Sequence, residues 1–362
     1  LIAAGIVAIG LSIFVPAIAR MLRVDATIVR SDRREFYPRD RSRRMRATTS
    51  ASIEIITPPS IPTKDSMPRS LLLLTFLTFA WGMNWPVMKI GVLHMPPLWF
   101  RGIGLVLGTL LLGLVLLIRG TSFRMPRGAF RQILLLSFPN VMVWYAVVTV
   151  AITMLPAGRA AILGFTMPVW SALIGVLIYR EALDRRTAFG VACGVAAIAL
   201  LVAGDWTALT GHPLGVLLML IAACAWAWGT HLVKRSKIEM DTLMLTFWMM
   251  AFGCPVLLGA SAIFEGAHWG MPTGIDWFPI LYNAVIVLLI GNVIWFTVAR
   301  TLPPTTAGLS SMLIPVVGVF SSMAVLGEKP LWRDFVALVL ICLAVAIALV
   351  PKPTGGEAKL RA

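Results

Sequence analysis

From Ser70 to Val350 the chain alternates between apolar stretches of about twenty residues and short polar breaks, and about 20 apolar residues is what a helix needs to cross bilayer hydrocarbon. The stretches run roughly 70–90, 97–118, 130–151, 155–179, 186–203, 214–233, 242–264, 277–299, 304–326 and 332–350. They are continuously apolar and do not alternate between two faces, which favours helices over a barrel. The pattern predicts an all-α membrane protein with ten transmembrane helices.

The polar and aromatic punctuation of these stretches recurs at one spacing, 147 residues. Trp81-Gly82 returns as Trp228-Gly229, and Leu155-Pro156 as Leu302-Pro303. Pro168 and Glu181 return as Pro315 and Glu328, with Ala160/Ala307 and Phe100/Phe247 on the same offset. A constant offset over that length is the mark of an internal repeat. Each copy holds five stretches, an odd number, so the copies must enter the membrane from opposite sides, as two inverted five-helix repeats. The expected division is a first repeat over 70–203, a linker over 204–213, a second repeat over 214–350 and a cytoplasmic tail over 351–362.

Composition supports a lipid environment. Apolar residues make up 59% of the chain and charged residues 13%, with a mean hydropathy of +0.88, far from the roughly 25% charged residues of a soluble domain. The net charge of +15 could suggest nucleic acid, but its placement follows topology. Fourteen Lys and Arg fall on segments that lie inside if the first helix starts in the cytoplasm, against five on the other side (Lys89, Arg101, Arg159, Lys329 and Arg333). Both termini are expected in the cytoplasm and no nucleic-acid partner is implied. The four cysteines fall within the apolar stretches without a CxxC and read as packing residues.

Residues 1–69 stand apart. An uncharged apolar run over 1–19 is followed by ten arginines and four acids between Arg20 and Arg46. Met67 sits just ahead of the first repeat, so the upstream segment is expected to be over-extended translation, with an extra anchor helix as the rival.

Four local patterns carry a family resemblance. Trp81-Gly82-Met83-Asn84 opens the first stretch and Arg101 opens the second; Pro168 runs to Glu181-Ala-Leu and Pro315 to Glu328-Lys-Pro. The chain from 70 to 350 resembles the ten-helix carriers of the drug/metabolite transporter superfamily, the EamA-like group. The resemblance implies alternating-access transport of small metabolites, often export, through a central cavity. One departure is His231 where the first repeat has Asn84.

Polar groups inside spans tend to face a bundle interior. Trp81, Asn84, Trp85 and Met88 form one helical stripe, and Trp228 with His231 forms the matching one. Asn140, Trp144, Tyr145, Trp170, Trp248, Asn292 and Trp295 complete the candidate lining. Pro168 and Pro315 are matched helix breaks, since proline removes a backbone donor. Indole faces and amides suit a flat or apolar organic molecule and also attract cations. Arg101 either snorkels to the headgroups or captures an anionic group. His231 is the candidate for proton coupling, against a plain hydrogen-bonded histidine. No Asp or Glu lies mid-stretch, so facilitated diffusion stays open, and Glu181 and Glu328 are expected to pair with neighbouring bases.

The function expected is export of a small, amino-acid-like or aromatic metabolite across the cytoplasmic membrane, without a cofactor or metal. The alternative is a drug-type or cationic-compound exporter. A channel would usually show charge rings or a carbonyl filter. For a membrane enzyme, HExxH, GxSxG and Walker patterns are lacking, and the histidines are scattered. Oligomeric state is not legible.

Overall fold

The computed structural model describes residues 66–181, 185–207, 213–294 and 304–349. The N-terminal run, residues 182–184, half of the linker (208–212), the 295–303 segment with Trp295, and the tail lie outside them. The described residues form helices and contain no strand. The helical stretches are α1 (Ser66–His94), α2 (Pro97–Ile118), α3 (Ala129–Met154), α4 (Ala157–Leu177) and α5 (Arg185–Thr207), then α6 (Pro213–Arg235), α7 (Thr242–Glu265), α8 (Trp277–Ile294), α9 (Pro304–Leu326) and α10 (Trp332–Leu349). Six of them (α2, α3, α4, α6, α7 and α8) are long and apolar enough to cross a membrane, with α7 counted through its 3-10 extension to His268.

The outward faces are as apolar as the core. Leu110, Leu114 and Leu117 form an exposed stripe along α2, and Leu214, Leu217 and Ile221 form another on α6. Apolar faces of this extent need a partner, and lipid supplies it. Inward, Trp85, Met88, Phe100, Ile152, Leu163 and Val319 belong to one buried cluster that joins helices from both halves of the chain.

The largest helix contacts recur when the halves are exchanged. Helix α1 packs on α9, and its counterpart α6 packs on α4. Helix α3 packs on α6 as α8 packs on α1, while α2 packs on α7 and α5 on α10, each against its own repeat mate. Within the α2–α7 pair the direction is explicit. The start of α2 meets Glu265 at the end of α7, Gly102 faces Leu258, and Gly113 faces Phe247. As numbers rise on α2 they fall on α7, so these repeat mates run antiparallel.

The matched prolines have different outcomes. At Phe165–Thr166 the α4 stretch breaks into two helices, and Pro168 sits in the first turn of the second, where no donor is missed. Pro315 is accommodated inside a continuous α9. A second matched irregularity was not read from sequence. Phe138–Val143 in α3 and Tyr282–Gly291 in α8 are wound as π-helix, and the 147-residue offset superposes them. Such widened turns put extra side chains on one face and frequently mark functional positions.

Close helix approach requires glycine where α1 meets α9. A Cβ on Gly82 would lie 2.5 Å from the Val317 side chain, whose β-branched atoms have no slack. Gly82→Val is expected to destabilise the folded protein by about 1–3 kcal/mol, read as a lowered melting midpoint in detergent. Gly259→Ala, inside a helix with nothing within 4 Å, should not lower the midpoint.

Candidate functional site

Arg101 is the fifth residue of α2, and the start of that helix is fastened in place. Pro97 occupies the first turn, and the Glu265 carboxylate accepts hydrogen bonds from the backbone N–H groups of Leu98 (2.9 Å) and Trp99 (2.8 Å). A carboxylate on free N–H groups at a helix N-terminus is favoured by both hydrogen bonding and the helix dipole. The Trp99 ring stacks on Trp269 at 4.2 Å, closing the same corner. With the helix start held, the Arg101 side chain is committed to the interior, and it is only 3% exposed. It does not snorkel.

Three nitrogens of the guanidinium are hydrogen-bonded, each to a different helix. Nε donates to Thr149 Oγ1 on α3 (3.1 Å), Nη1 to Asn283 Oδ1 on α8 (2.6 Å), and Nη2 meets Met88 Sδ on α1 (3.1 Å). Its carbon lies 4.6 Å from the centre of the Tyr145 ring, a cation–π distance. The acceptors are themselves oriented. Thr149 gives its hydroxyl proton to Tyr145 O (2.6 Å), and Asn283 gives its amide proton to Pro279 O (3.1 Å). Both therefore turn lone pairs toward Arg101. Among the described residues no carboxylate lies within ion-pair distance of this charge.

A second polar cluster lies at the other end of the bundle. Helices α3 and α4 meet at the Leu155–Pro156 turn near Arg101, so the end of α4 is remote from it. There His231 Nε2 sits 3.0 Å from both Ser171 Oγ and Ser171 O, and its ring stacks on Tyr179. Arg235 covers the same tyrosine at 3.7 Å and donates to Glu181 Oε1 at 3.0 Å. His231 Nδ1 is enclosed without a partner among the described residues.

The repeat mates Glu181 and Glu328 differ in role. Glu181 pairs with a base, as expected. Glu328 instead accepts from the backbone N–H groups of Ala157 (2.6 Å) and Gly158 (3.0 Å), capping α4. At the same turn Lys89 Nζ donates to the carbonyls of Ile152, Thr153 and Leu155, the open end of α3. Arg159 pairs with Asp334 at 2.9 Å. An anion thus serves one helix N-terminus and a cation the adjoining C-terminus, which fixes the α3–α4 turn to α1 and to the segment before α10.

The remaining candidates are distributed. Arg101, Tyr145 and Met88 come together; the other described candidates have surroundings of their own, and Trp295 lies outside the described residues. Trp85 is buried with its ring against Gly164 and Gly318, and Trp81 packs beside Gly291. Asn84 is buried, with Oδ1 lacking a partner among the described residues. Asn140 donates to Leu136 O and fills the space at Gly229, while Trp144 rests on Trp226. Asn292 donates to Leu288 O. Trp248 packs with Phe247 and Phe252, and the indole N–H groups of Trp170 and Trp248 are enclosed without partners among the described residues. Trp228 is half-buried on α6. Sequence reasoning missed Thr149, Asn283, Ser171 and Tyr179. For Asn283 the signal was an amide within an apolar stretch; for Thr149 it was the i, i+4 spacing from Tyr145.

A bundle of apolar helices enclosing isolated polar clusters, with an apolar exterior, defines a multi-pass membrane protein. The model for the EamA-like transporter family matches the chain twice, over residues 68–203 and 213–350, and the chain belongs to that family. It is 29% identical over 284 residues to "Uncharacterized transporter YvbV" of Bacillus subtilis, covering 77% of this chain and 91% of that protein. It is 29% identical to "Uncharacterized inner membrane transporter YedA" of Escherichia coli, with 78% and 93% covered. A third relative, at 26% identity with 74% and 91% covered, is the "Probable amino-acid metabolite efflux pump" of Salmonella typhimurium. A crystal structure at 18% identity, with 80% of this chain and 99% of the other covered, shares the fold at a TM-score of 0.53. These relatives are named as transporters and not as enzymes.

One acid near the site titrates outside the membrane-spanning helices. The Thr273 hydroxyl (2.7 Å) and N–H (2.8 Å) hydrogen-bond Asp276 just ahead of α8. These bonds hold its carboxyl below the ordinary value of 3.8, against desolvation, with a smaller downward pull from His94. A lowered folded pKa adds stability above the unfolded value, and that stability is lost as pH falls through the folded one. Amide exchange over 266–276 should stay protected from neutral pH down to about 3.8 and loosen below it. Asp276→Asn should remove that step.

Proposed function

We propose that this transporter exports a small organic carboxylate, amino-acid-like or aromatic, across the cytoplasmic membrane by alternating access between two inverted five-helix halves. The observation that carries the cargo class is Arg101, a buried guanidinium held, among the described residues, by neutral groups alone. On insertion scales an arginine costs up to roughly 2.5–3.5 kcal/mol at a helix centre and less near a helix start such as that of Arg101, and a carboxylate cargo would offset that cost through charge-assisted hydrogen bonds. A cationic cargo would meet like charge there, which disfavours the cationic-compound alternative. The relatives named as amino-acid metabolite efflux pumps support the same cargo and direction.

Antiparallel packing of the repeat mates α2 and α7 supports the inverted arrangement, and the exchange symmetry of the helix contacts extends it to all ten helices, each of which would cross the bilayer. Inverted halves place a shared site between them, open to one side or the other as the halves rock. The charge count supports an orientation with both termini in the cytoplasm and the Arg101 end, with the 266–276 segment, outside.

Cysteines introduced in 266–276 should be labelled by an impermeant reagent in right-side-out vesicles, and those in 121–128 should not. The reverse pattern would overturn the orientation. Arg101→Ala should abolish carboxylate transport in proteoliposomes while protein level stays near normal. Arg101→Lys should restore little, because the ammonium lacks the planar fork. Failure of Arg101→Ala to insert would make the residue structural.

A further inference from the structure

The partners of Arg101 are unequal. Nε and Nη1 are matched by oxygen acceptors that other hydrogen bonds hold in place, whereas Nη2 has a thioether. Sulfur of this kind is a weak acceptor, and a guanidinium carries five N–H donors. The two donors beyond the three hydrogen bonds have no partner among the described residues. Met88 itself is 2% exposed and unbranched, a side chain whose three rotatable bonds let it withdraw without moving helix α1. One turn away on the same stripe, Asn84 Oδ1 is enclosed and unpartnered, so the polar strip continues from Met88 into the bundle.

From this we infer that Met88 is a place-holder: its sulfur occupies the arm of Arg101 that the cargo carboxylate takes, and it swings aside when cargo binds. Thr149 and Asn283 are positioning residues that aim the fork so that the Nη2 side faces the incoming group. The inference rests on the reading of Arg101 as the cargo anchor. It makes Met88 a residue that fills the anion arm of Arg101 between transport events, while Arg101 itself sets the anion preference.

The test uses the full-length protein in detergent. Met88→Glu puts a tethered carboxylate on Nη2. Its melting midpoint should exceed that of Met88→Gln when Arg101 is present, and the difference should vanish in an Arg101→Leu background. A Met88→Glu protein that melts below Met88→Gln, or fails to fold where Met88→Gln folds, overturns the proposal. Each of the twenty common amino acids, 3-phenylpropionate and phenethylamine is then added as a probe. Acids that raise the wild-type midpoint should do so for Met88→Leu, lose affinity at least about tenfold in Met88→Glu, and phenethylamine should protect neither form. Loss of protection in Met88→Leu overturns the place-holder role, because leucine leaves the arm open. Stabilisation by Met88→Glu with no acid protecting wild type sinks the cargo reading instead, leaving Met88 a partner of Arg101 within the protein.

Discussion

The structure is organised around one buried positive charge. A guanidinium removed from water is tolerated only where hydrogen bonds and aromatic faces replace its hydration. Around Arg101 of α2 those replacements come from three other helices, α1, α3 and α8, so satisfying the charge also fixes how the two halves meet. The dependence runs both ways. Thr149 and Asn283 present lone pairs only because Tyr145 O and Pro279 O take their protons, and the latter contact spans the start of the π-wound part of α8. A regular α8 would rotate Asn283 by part of a turn and leave one arm of the fork without its oxygen.

The same end of the bundle is also where helix termini are most heavily served. Glu265 caps α2, Glu328 caps α4, and Lys89 gathers three carbonyls at the end of α3. In hydrocarbon, exposed backbone groups have no water to fall back on, so such caps are a condition for placing a turn near the interface. The repeat offset shows how much of this is shared. Glu328 has its mate in Glu181, but Lys89, Arg159 and Asp334 correspond to Ser236, Thr306 and Thr187. Ala157, which gives a backbone N–H to Glu328, corresponds to Pro304, which has none to give. The two halves therefore share a backbone plan while their terminal chemistry differs, and Glu181, with one fewer donor opposite it in the repeat, is bound by Arg235.

Sequence reasoning saw what depends on the length of apolar runs and on punctuation. The helix positions, the repeat and the family followed from runs of about twenty residues and from Trp81/Trp228, Pro168/Pro315 and Glu181/Glu328, because lipid imposes length and glycine or proline imposes backbone geometry. It did not see which polar side chain meets which. Thr149 looks like an ordinary small residue in an apolar run, and Asn283 comes within reach of Arg101 from 182 residues away. The different fates of Pro168 and Pro315 were equally hidden, since a proline reports a missing donor and not whether the helix turns or bends around it. The π turns at Phe138–Val143 and Tyr282–Gly291 share a register but not a sequence motif: the first contains Pro139, while the matching position in the second is Ile286.

The contrast between the two polar clusters bears on selectivity. At the His231 end the charges are matched, since Arg235 has Glu181, and both side chains are substantially exposed to screening. At the Arg101 end the charge is enclosed and served by neutral acceptors alone among the described residues. Low local dielectric strengthens the field of an enclosed charge, so on the proposed reading the Arg101 end is where an anion would be held. The tyrosine face beneath Arg101 is already committed to that guanidinium, so it is not free to receive a cationic guest. On the proposed reading, aromatic surface and positive charge together favour a carboxylate with an apolar body, and the oxygen acceptors on Nε and Nη1 would leave it one preferred angle of approach.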